Sequence, residues 1–164
     1  MIAGCGGDQR GHVETDAQDA VTVTSSALAH GERIPTRFTC DGEEVSPPLQ
    51  WSGPSVHAWA LVVDDPDAPG GTFTHWVVVD IPAGTTSVQT GTVPHGGLEV
   101  ANSSGGTSYF GPCPPNGEHR YRFTVYGLDE PTGLRDSASL ADALAAIGDH
   151  ATSQGTLTTV YSRS

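Results

Sequence analysis

The sequence predicts a mainly β fold: an antiparallel β-sandwich of two sheets with one short helix near the C-terminus and long functional loops. Apolar, β-branched runs of strand length recur, as in Ala58–Asp64 (AWALVVD) and His75–Ile81 (HWVVVDI). The 21 glycines and 12 prolines separate such runs with turns. A helical spacing of apolar residues stands out in one segment near the C-terminus. The length of 164 residues, without an internal repeat, suits a single domain.

The remaining strands are predicted from alternation and from flanking turn residues. Arg120–Leu128 places Tyr121, Phe123 and Val125 on one face and Arg122, Thr124 and Tyr126 on the other. Pro35 cannot donate to a strand ladder, so the segment around it is predicted at a sheet edge. Trp51 lies in a short predicted strand, and its side chain is expected to be buried. The predicted segments are Ala20–Leu28, Ile34–Phe38, Leu49–Trp51 and Leu157–Tyr161.

The helix is predicted to begin after Ser139, which can cap it, with Asp142 three residues later. Gly148 weakens its end, and Gly155 is the expected stop. The apolar face at helical spacing consists of Leu140, Leu144 and Ile147.

Two connections carry the groups that can do chemistry. The segment between the central strands, DPDAPGGTFT, spends about ten residues where a two-residue hairpin would suffice. His75 follows it, and His119 follows the stiff, proline-rich stretch Tyr109–Gly117 (YFGPCPPNG). Because strand starts gather at one end of a sandwich, we expect both histidines to face one pocket. The long stretch Pro82–Gly106 is expected to cover or line it.

These motifs, DPDAP, then HW, then GPCPP followed by NGEHRYRF, resemble the phosphatidylethanolamine-binding protein family, in its bacterial Raf-kinase-inhibitor-like branch. The resemblance runs from about Val21 to Arg163. It implies a non-enzymatic binding module, without a cofactor or metal, whose small pocket takes a phosphate-like or phosphoethanolamine-like group, such as a phospholipid head group. The ligand-binding positions that it implies are Asp65, Asp67, His75, Gly111, Pro112, His119 and Tyr121.

The polar groups of this pocket have more than one chemical role open to them. Imidazole N–H groups and backbone N–H groups near Gly111 can donate to phosphate oxygens. An aspartate of the DPD pair can orient a histidine, receive an ammonium group, or cap its own turn. Arg120 is expected to pair with an acid of the DPDAP loop, and Trp76 to lie in the core.

Three other functions are weighed against this one. A metal site has suitable donor types in the histidines and aspartates, but no HxxxH or HxH spacing. A hydrolase has Cys113 as a nucleophile near His119, but no GxSxG motif. A protein-interaction or kinase/protease-inhibitor-like regulator would use Pro82–Gly106 to engage a partner, and its pocket would be residual.

The charge of the chain limits the kinds of partner that it can bind. The chain has nineteen acidic residues, seven arginines and no lysine, which gives a formal charge of −12. This charge repels the phosphate backbone of nucleic acids. The absence of lysine also removes Schiff-base chemistry. No apolar run approaches 18 residues, so membrane contact is expected only through a lipid anchor.

The cysteines and the N-terminus bear on the compartment. Met1–Cys5 (MIAGC) resembles the end of a lipobox, with Cys5 as the lipidation candidate, and the alternative is an unmodified tail. Residues 1–18 are expected to form a disordered tether and 19–164 the domain. Cys40 and Cys113 are candidates for a disulfide, against two unpaired thiols. The expected location is the cell envelope after export, with the cytoplasm as the alternative.

Overall fold

A computed structural model describes residues 12–163 and shows nine strands, one α-helix and a single 3-10 turn in that part of the chain. The strands are β1 (Gln18–Asp19), β2 (Thr22–Thr24), β3 (Leu49–Ser52), β4 (Ala58–Asp65), β5 (Phe73–Pro82), β6 (Ser87–Val88), β7 (Leu98–Val100), β8 (His119–Leu128) and β9 (Ala151–Tyr161). The helix α1 spans Leu140–His150, and the 3-10 turn spans Thr36–Phe38.

The strands form two sheets, which confirms the predicted sandwich. The larger sheet has the order β1-β9-β8-β4-β5-β7, and the smaller has the order β2-β3-β6. All strand pairs are antiparallel except β1 with β9, which is parallel. The predicted strands β4 and β5 pair with each other inside the larger sheet, and β8 pairs with the other side of β4, so the loops that carry the chemistry emerge from three adjacent strands.

The large sheet is covered on both faces. Its inner face, with Leu61 and Phe123, packs with Trp51 of the small sheet in one core. Its outer face, with Val62 and Tyr126, packs in a second core against α1. This double covering explains why every residue of β4 is buried. Each fully buried large apolar side chain contributes roughly 1.5–3 kcal/mol to the free energy of folding.

Helix α1 begins as predicted and ends differently. The Ser139 hydroxyl accepts the Asp142 N–H at 3.1 Å, and Ala143, Leu144 and Ile147 are buried. Helix α1 ends at His150, where Ala151 is extended and the chain passes directly into β9. The prediction of Gly155 as the stop is therefore wrong.

Gly155 is instead required inside β9 by close packing. A Cβ at this position would collide with the Val21 carbonyl group, which crosses directly over it. Gly155 therefore marks the close approach of two backbone segments and not the end of the helix.

Three further segments differ from the prediction. Ile34–Phe38 is not an edge strand: the Ile34 N–H donates to Val160 (2.9 Å) and the chain then turns through the 3-10 segment. The predicted first strand Ala20–Leu28 is reduced to β2, preceded by the short β1. The stretch Pro82–Gly106, which was expected to cover or line the pocket, contains β6 and β7 and contributes none of the residues that line the pocket bearing His75 and His119.

The N-terminal segment contacts the domain before residue 19. Val13 is 4% exposed and packs in the outer core, and Gln18 already belongs to β1, so ordered contacts begin within the stretch predicted as tether. Cys5 lies outside the described residues, and its lipidation stays a prediction. No helix within residues 12–163 is long and apolar enough to cross a membrane.

Candidate functional site

A cavity of about 160 Å³ opens at the end of the large sheet where β4 ends and β5 and β8 begin. Two loops, one after β4 and one before β8, form its rim. It brings together four of the predicted site residues, and the residues that line it are Asp65, Ala68, Pro69, Phe73, His75, Phe110, Cys113, Pro114, Pro115, His119 and Tyr121.

A β-bulge directs His75 to this cavity. In the β4–β5 register Val63 pairs with Trp76 and Asp64 pairs with Thr74, so His75 is an extra residue on β5. Trp76 is buried in the inner core, and in a regular strand His75 would lie on the opposite face. The bulge instead brings its ring to 5.5 Å from the ring of Tyr121, which lies in that same inner core.

His75 is held on both sides by Phe110. Its Nδ1 lies 2.6 Å from the Phe110 carbonyl oxygen, and the Phe110 N–H donates to the His75 carbonyl at 3.1 Å. The ring is 4% exposed, and burial lowers its pKa, although the Phe110 hydrogen bond and the Asp65 charge act in the other direction. His75 is therefore a fixed, predominantly neutral imidazole at the cavity wall.

His119 is oriented by Asp65. Its Nδ1 lies 2.7 Å from Asp65 Oδ2, and both side chains are almost fully buried. The other carboxylate oxygen accepts the backbone N–H of Asp67 at 2.8 Å. Asp65 thus performs two of the predicted roles at once, because it orients a histidine and caps its own turn.

Tyr121 contacts both imidazoles. Its ring centre is 5.5 Å from that of His75 and 6.5 Å from that of His119. Its hydroxyl is buried without a partner of hydrogen-bonding geometry in the described part of the chain. Burial, with the nearby Asp65 carboxylate, raises the pKa of Tyr121, so the phenol stays protonated.

Asp67 faces away from the cavity. The Arg120 guanidinium donates to both its oxygens at 2.8 and 2.9 Å, and the Arg120 N–H donates at 2.8 Å, as expected for an ion pair with the DPDAP loop. These hydrogen bonds lower the pKa of Asp67 to about 2. The role of Asp67 in the structure is to fix the loop that forms one rim of the cavity.

The opposite rim is tied to the turn around residue 40. A disulfide joins Cys40 to Cys113 with a Cα–Cα distance of 5.4 Å, and the Cys40 N–H donates to the Pro112 carbonyl at 3.1 Å. The Tyr109 hydroxyl donates to the Phe38 carbonyl at 2.8 Å. Cys113 lines the cavity, and its sulfur is committed to the disulfide rather than available as a nucleophile.

Comparison with known proteins identifies the family. The sequence profile described as phosphatidylethanolamine-binding protein matches residues 24–162. The chain belongs to the phosphatidylethanolamine-binding protein family.

Relatives within this family span bacteria and archaea. The Mycobacterium tuberculosis protein named "Putative lipoprotein LppC" is 46% identical over 144 residues, covering 86% of this chain and 72% of that protein. A UPF0098 protein of Methanothermobacter thermautotrophicus is 44% identical over 138 residues, covering 80% of this chain and 91% of its own. The crystal structure of Escherichia coli YbcL superposes with a TM-score of 0.81 at 30% identity, covering 88% of this chain and 99% of YbcL.

Two positions that the phosphatidylethanolamine-binding protein resemblance implied as binding residues serve the rim in this structure. The Gly111 N–H donates to the Glu44 carboxylate at 3.1 Å, so it is already engaged. A Cβ on Gly111 would lie 2.8 Å from the Glu44 side chain and 3.1 Å from the Phe38 carbonyl. Neither Gly111 nor Pro112 is among the lining residues, and a small residue is needed at 111 for packing.

The sequence analysis missed the apolar part of this family member's cavity. The phenyl ring of Phe73 lies 4.7 Å from the His75 ring, and Phe110 is 39% exposed at the rim. Both residues stand beside the polar motifs in the sequence, and the prolines within DPDAP and GPCPP indicate a stiff rim. The missed lining residues are Ala68, Pro69, Phe73, Phe110, Pro114 and Pro115.

The residues described form no group of three or more His, Cys, Asp or Glu side chains placed to hold a metal ion. Asp65 and Asp67 instead bond with His119 and Arg120. The cavity is thus a pocket with two imidazoles and a phenol on one side and proline and phenylalanine at the rim.

Proposed function

We propose that this protein is a non-enzymatic binding module whose cavity holds a small oxyanion such as a phosphate or phosphoethanolamine group. The observation that carries the proposal is the pair of imidazoles, each fixed through Nδ1, at one cavity. The Nε2 atoms of His75 and His119 form no hydrogen bond with a described residue, so both atoms are available to a ligand. Family membership supports an anion pocket of this kind.

The apolar rim suits a ligand in which the oxyanion is attached to a larger group. Phe73, Phe110 and the prolines would contact whatever group the oxyanion carries, and such surfaces exclude water from the polar contacts. A phospholipid head group is a ligand with this combination of charge and apolar attachment. Asp65 and Asp67 are engaged by other side chains, so we assign neither of them to an ammonium group.

The cell envelope is the location that we propose for this activity. Persistent disulfides belong to oxidising compartments, which fits the bond between Cys40 and Cys113. One relative carries the name of a lipoprotein, which agrees with Cys5 as a lipidation site. Detergent-phase partitioning of the protein and its Cys5→Ser variant, expressed with an export signal, tests the anchor: only the wild type should enter the detergent phase.

Calorimetric and thermal-shift titrations test the binding function. Phosphate, phosphoethanolamine and short-chain phosphatidylethanolamine are titrated into the wild type, a His75→Ala/His119→Ala variant and a His57→Ala control at an exposed position. A ligand at one hundred times its dissociation constant stabilises the fold by about 2.7 kcal/mol. Stabilisation of the wild type and the control alone is expected; equal stabilisation of the double variant would show that the ligand binds elsewhere.

A further inference from the structure

The small sheet is built from parts of the chain that carry no charge. Three segments, residues 20–29, 45–56 and 81–94, contain no aspartate, glutamate, lysine, arginine or histidine. These segments contribute all three strands of the small sheet, which are β2, β3 and β6. The formal charge of −12 therefore resides entirely on other parts of the molecule.

The outer face of the small sheet is an array of hydroxyl and amide groups. Each of its strands alternates between residues buried in the inner core and residues exposed to solvent. Strand pairing places Ser52 beside Thr22, and it places Gln50 between Thr24 and Ser87. None of these five side chains forms a hydrogen bond with another residue in the range 12–163. Their polar groups are therefore available to a ligand.

Two cavities lie one after the other along the paired strands β3 and β6. The first has a volume of about 500 Å³ and is lined in part by Ser52 and Thr86. The second has a volume of about 390 Å³ and is lined in part by Gln50 and Ser87. Every residue that lines either cavity is uncharged, and both volumes are typical of sites for small molecules. Together the two cavities form a groove that we term the neutral groove.

Two of the three tryptophans line the first cavity of the neutral groove. Trp59 is fixed because its Nε1 donates to the Ala83 carbonyl oxygen at 3.1 Å. The Nε1 of Trp51 is buried and has no acceptor among the described residues. A buried N–H without an acceptor is unfavourable, and a ligand oxygen in this cavity can supply the acceptor. The indoles also offer apolar surface to the C–H groups of a ligand.

We infer that the neutral groove binds an uncharged polysaccharide. Sugar hydroxyls both donate and accept hydrogen bonds, as do the hydroxyls of Ser52 and Thr86 and the amide of Gln50. A chain of sugar rings also matches a groove that continues through two cavities. The inference is independent of the proposed phosphate site: Trp59 of β4 lines the first cavity, whereas Asp65 lines the histidine cavity roughly 20 Å further along that strand.

Other occupants suit the neutral groove less well. A charged ligand would meet no opposite charge in the lining. A protein or membrane interface uses exposed apolar residues at its centre. The exposed large hydrophobic residues of the described chain are Val93 and Phe110, and neither lines the groove. A second copy of the chain would bring together two molecules of charge −12, with no ion pair in the groove to offset their repulsion.

Affinity electrophoresis in native gels tests the inference. The acidic protein migrates freely in a plain gel, and binding to a polymer held in the gel slows it. The gels contain dextran, mannan, galactan or β-glucan, and alginate serves as the charged polymer. We expect at least one neutral polymer to retard the protein and alginate to leave its migration unchanged. Because no ion pair forms, the dissociation constant should change less than about twofold between roughly 0.05 and 0.5 M salt.

The variant Gln50→Ala/Ser52→Ala removes polar groups from both cavities. Both positions are exposed, and the thermal midpoint checks that the fold is retained. We expect the dissociation constant for the retarding polymer to rise at least about tenfold. The matched control Thr107→Ala/Ser137→Ala changes exposed polar residues outside the groove and should bind as the wild type does.

Tryptophan emission of the wild type gives a readout that needs no variant. Two of the three tryptophans line the first cavity, so a soluble oligosaccharide of the retarding polymer should shift the emission. An unchanged emission at saturating oligosaccharide would place the sugar elsewhere and overturn the inference.

Several electrophoretic outcomes would also overturn it. They are retardation by none of the neutral polymers, equal retardation of Gln50→Ala/Ser52→Ala and the wild type, and an affinity that falls steeply with salt. Dimerisation that is lost in this variant would assign the groove to a second copy of the chain. Binding that is lost in His75→Ala/His119→Ala would place the polysaccharide at the histidine cavity instead.

Discussion

At the scale of single residues, the burial of His75 ties folding stability to pH. Its pKa is lowered in the folded state, so the unfolded chain binds the proton more readily. Stability is therefore complete above the unfolded value of about 6.5 and falls as the pH drops below it. We expect His75→Gln, whose amide can still donate to Phe110, to lose less stability between about pH 7.5 and 5.

Urea unfolding at the two pH values measures this, with His57→Gln as a control at an exposed position. The same acid-induced loss in wild type and His75→Gln would assign the pH dependence to other groups.

The Asp67 carboxylate offers a second test at this scale. Hydrogen bonds from Arg120 hold its pKa at about 2, so its contribution to stability is present above about pH 3.8 and is lost as the pH falls through 2. Because Arg120 is largely exposed, we expect Arg120→Ala to cost no more than about 1 kcal/mol. A carboxyl NMR titration should show the Asp67 pKa rising towards its ordinary value in this variant but not in Arg135→Ala.

At the scale of elements, the disulfide fixes the rim to the turn at residue 40. The two cysteines are 73 residues apart, and chain-entropy arguments give about 4 kcal/mol for a loop of this length. We expect the Cys40→Ser/Cys113→Ser variant to lose about 2–5 kcal/mol in urea unfolding. Reductant should destabilise the wild type and leave the double variant unchanged; equal stability of both proteins would show that the other rim contacts suffice.

The crossing of Val21 over β9 gives another prediction for an element. Gly155→Ala should destabilise the fold by about 1–3 kcal/mol or more, because the added methyl group collides with a backbone carbonyl that cannot rotate away. Gly84→Ala is the control, since nothing lies within 4 Å of a Cβ at that position. Equal thermal midpoints for the two variants would contradict the close approach.

At the scale of the whole molecule, the excess of acids sets the behaviour at membranes. A net charge of −12 repels anionic bilayers. We expect a form with Cys5 replaced by serine to stay in solution when mixed with vesicles of phosphatidylserine, at low and at physiological salt. Sedimentation measures this, and binding that weakens as salt is added would reveal a basic surface that the overall charge conceals.

Sequence reasoning recovered the sandwich, the central strands and both histidines because alternation and turn residues are local signals. It failed where the deciding contact is distant. The bulge at His75 depends on the register with β4, and the place of Gly155 depends on Val21. The family resemblance implied Asp67 and Gly111 as pocket residues, whereas Arg120 and Glu44 form hydrogen bonds with them in the structure.

The path of the N-terminal segment has a consequence for orientation. The side chain of His12 lies 3.5 Å from Arg122, which is three residues along β8 from His119. Cys5 precedes His12 by seven positions in the sequence, a length of chain that spans at most about 25 Å. If Cys5 carries a lipid, the anchor is joined to the domain by a short segment that reaches it near the end of the molecule where the pocket lies. The domain would then stay within reach of the lipid head groups, and a lipid ligand would have only a short distance to travel.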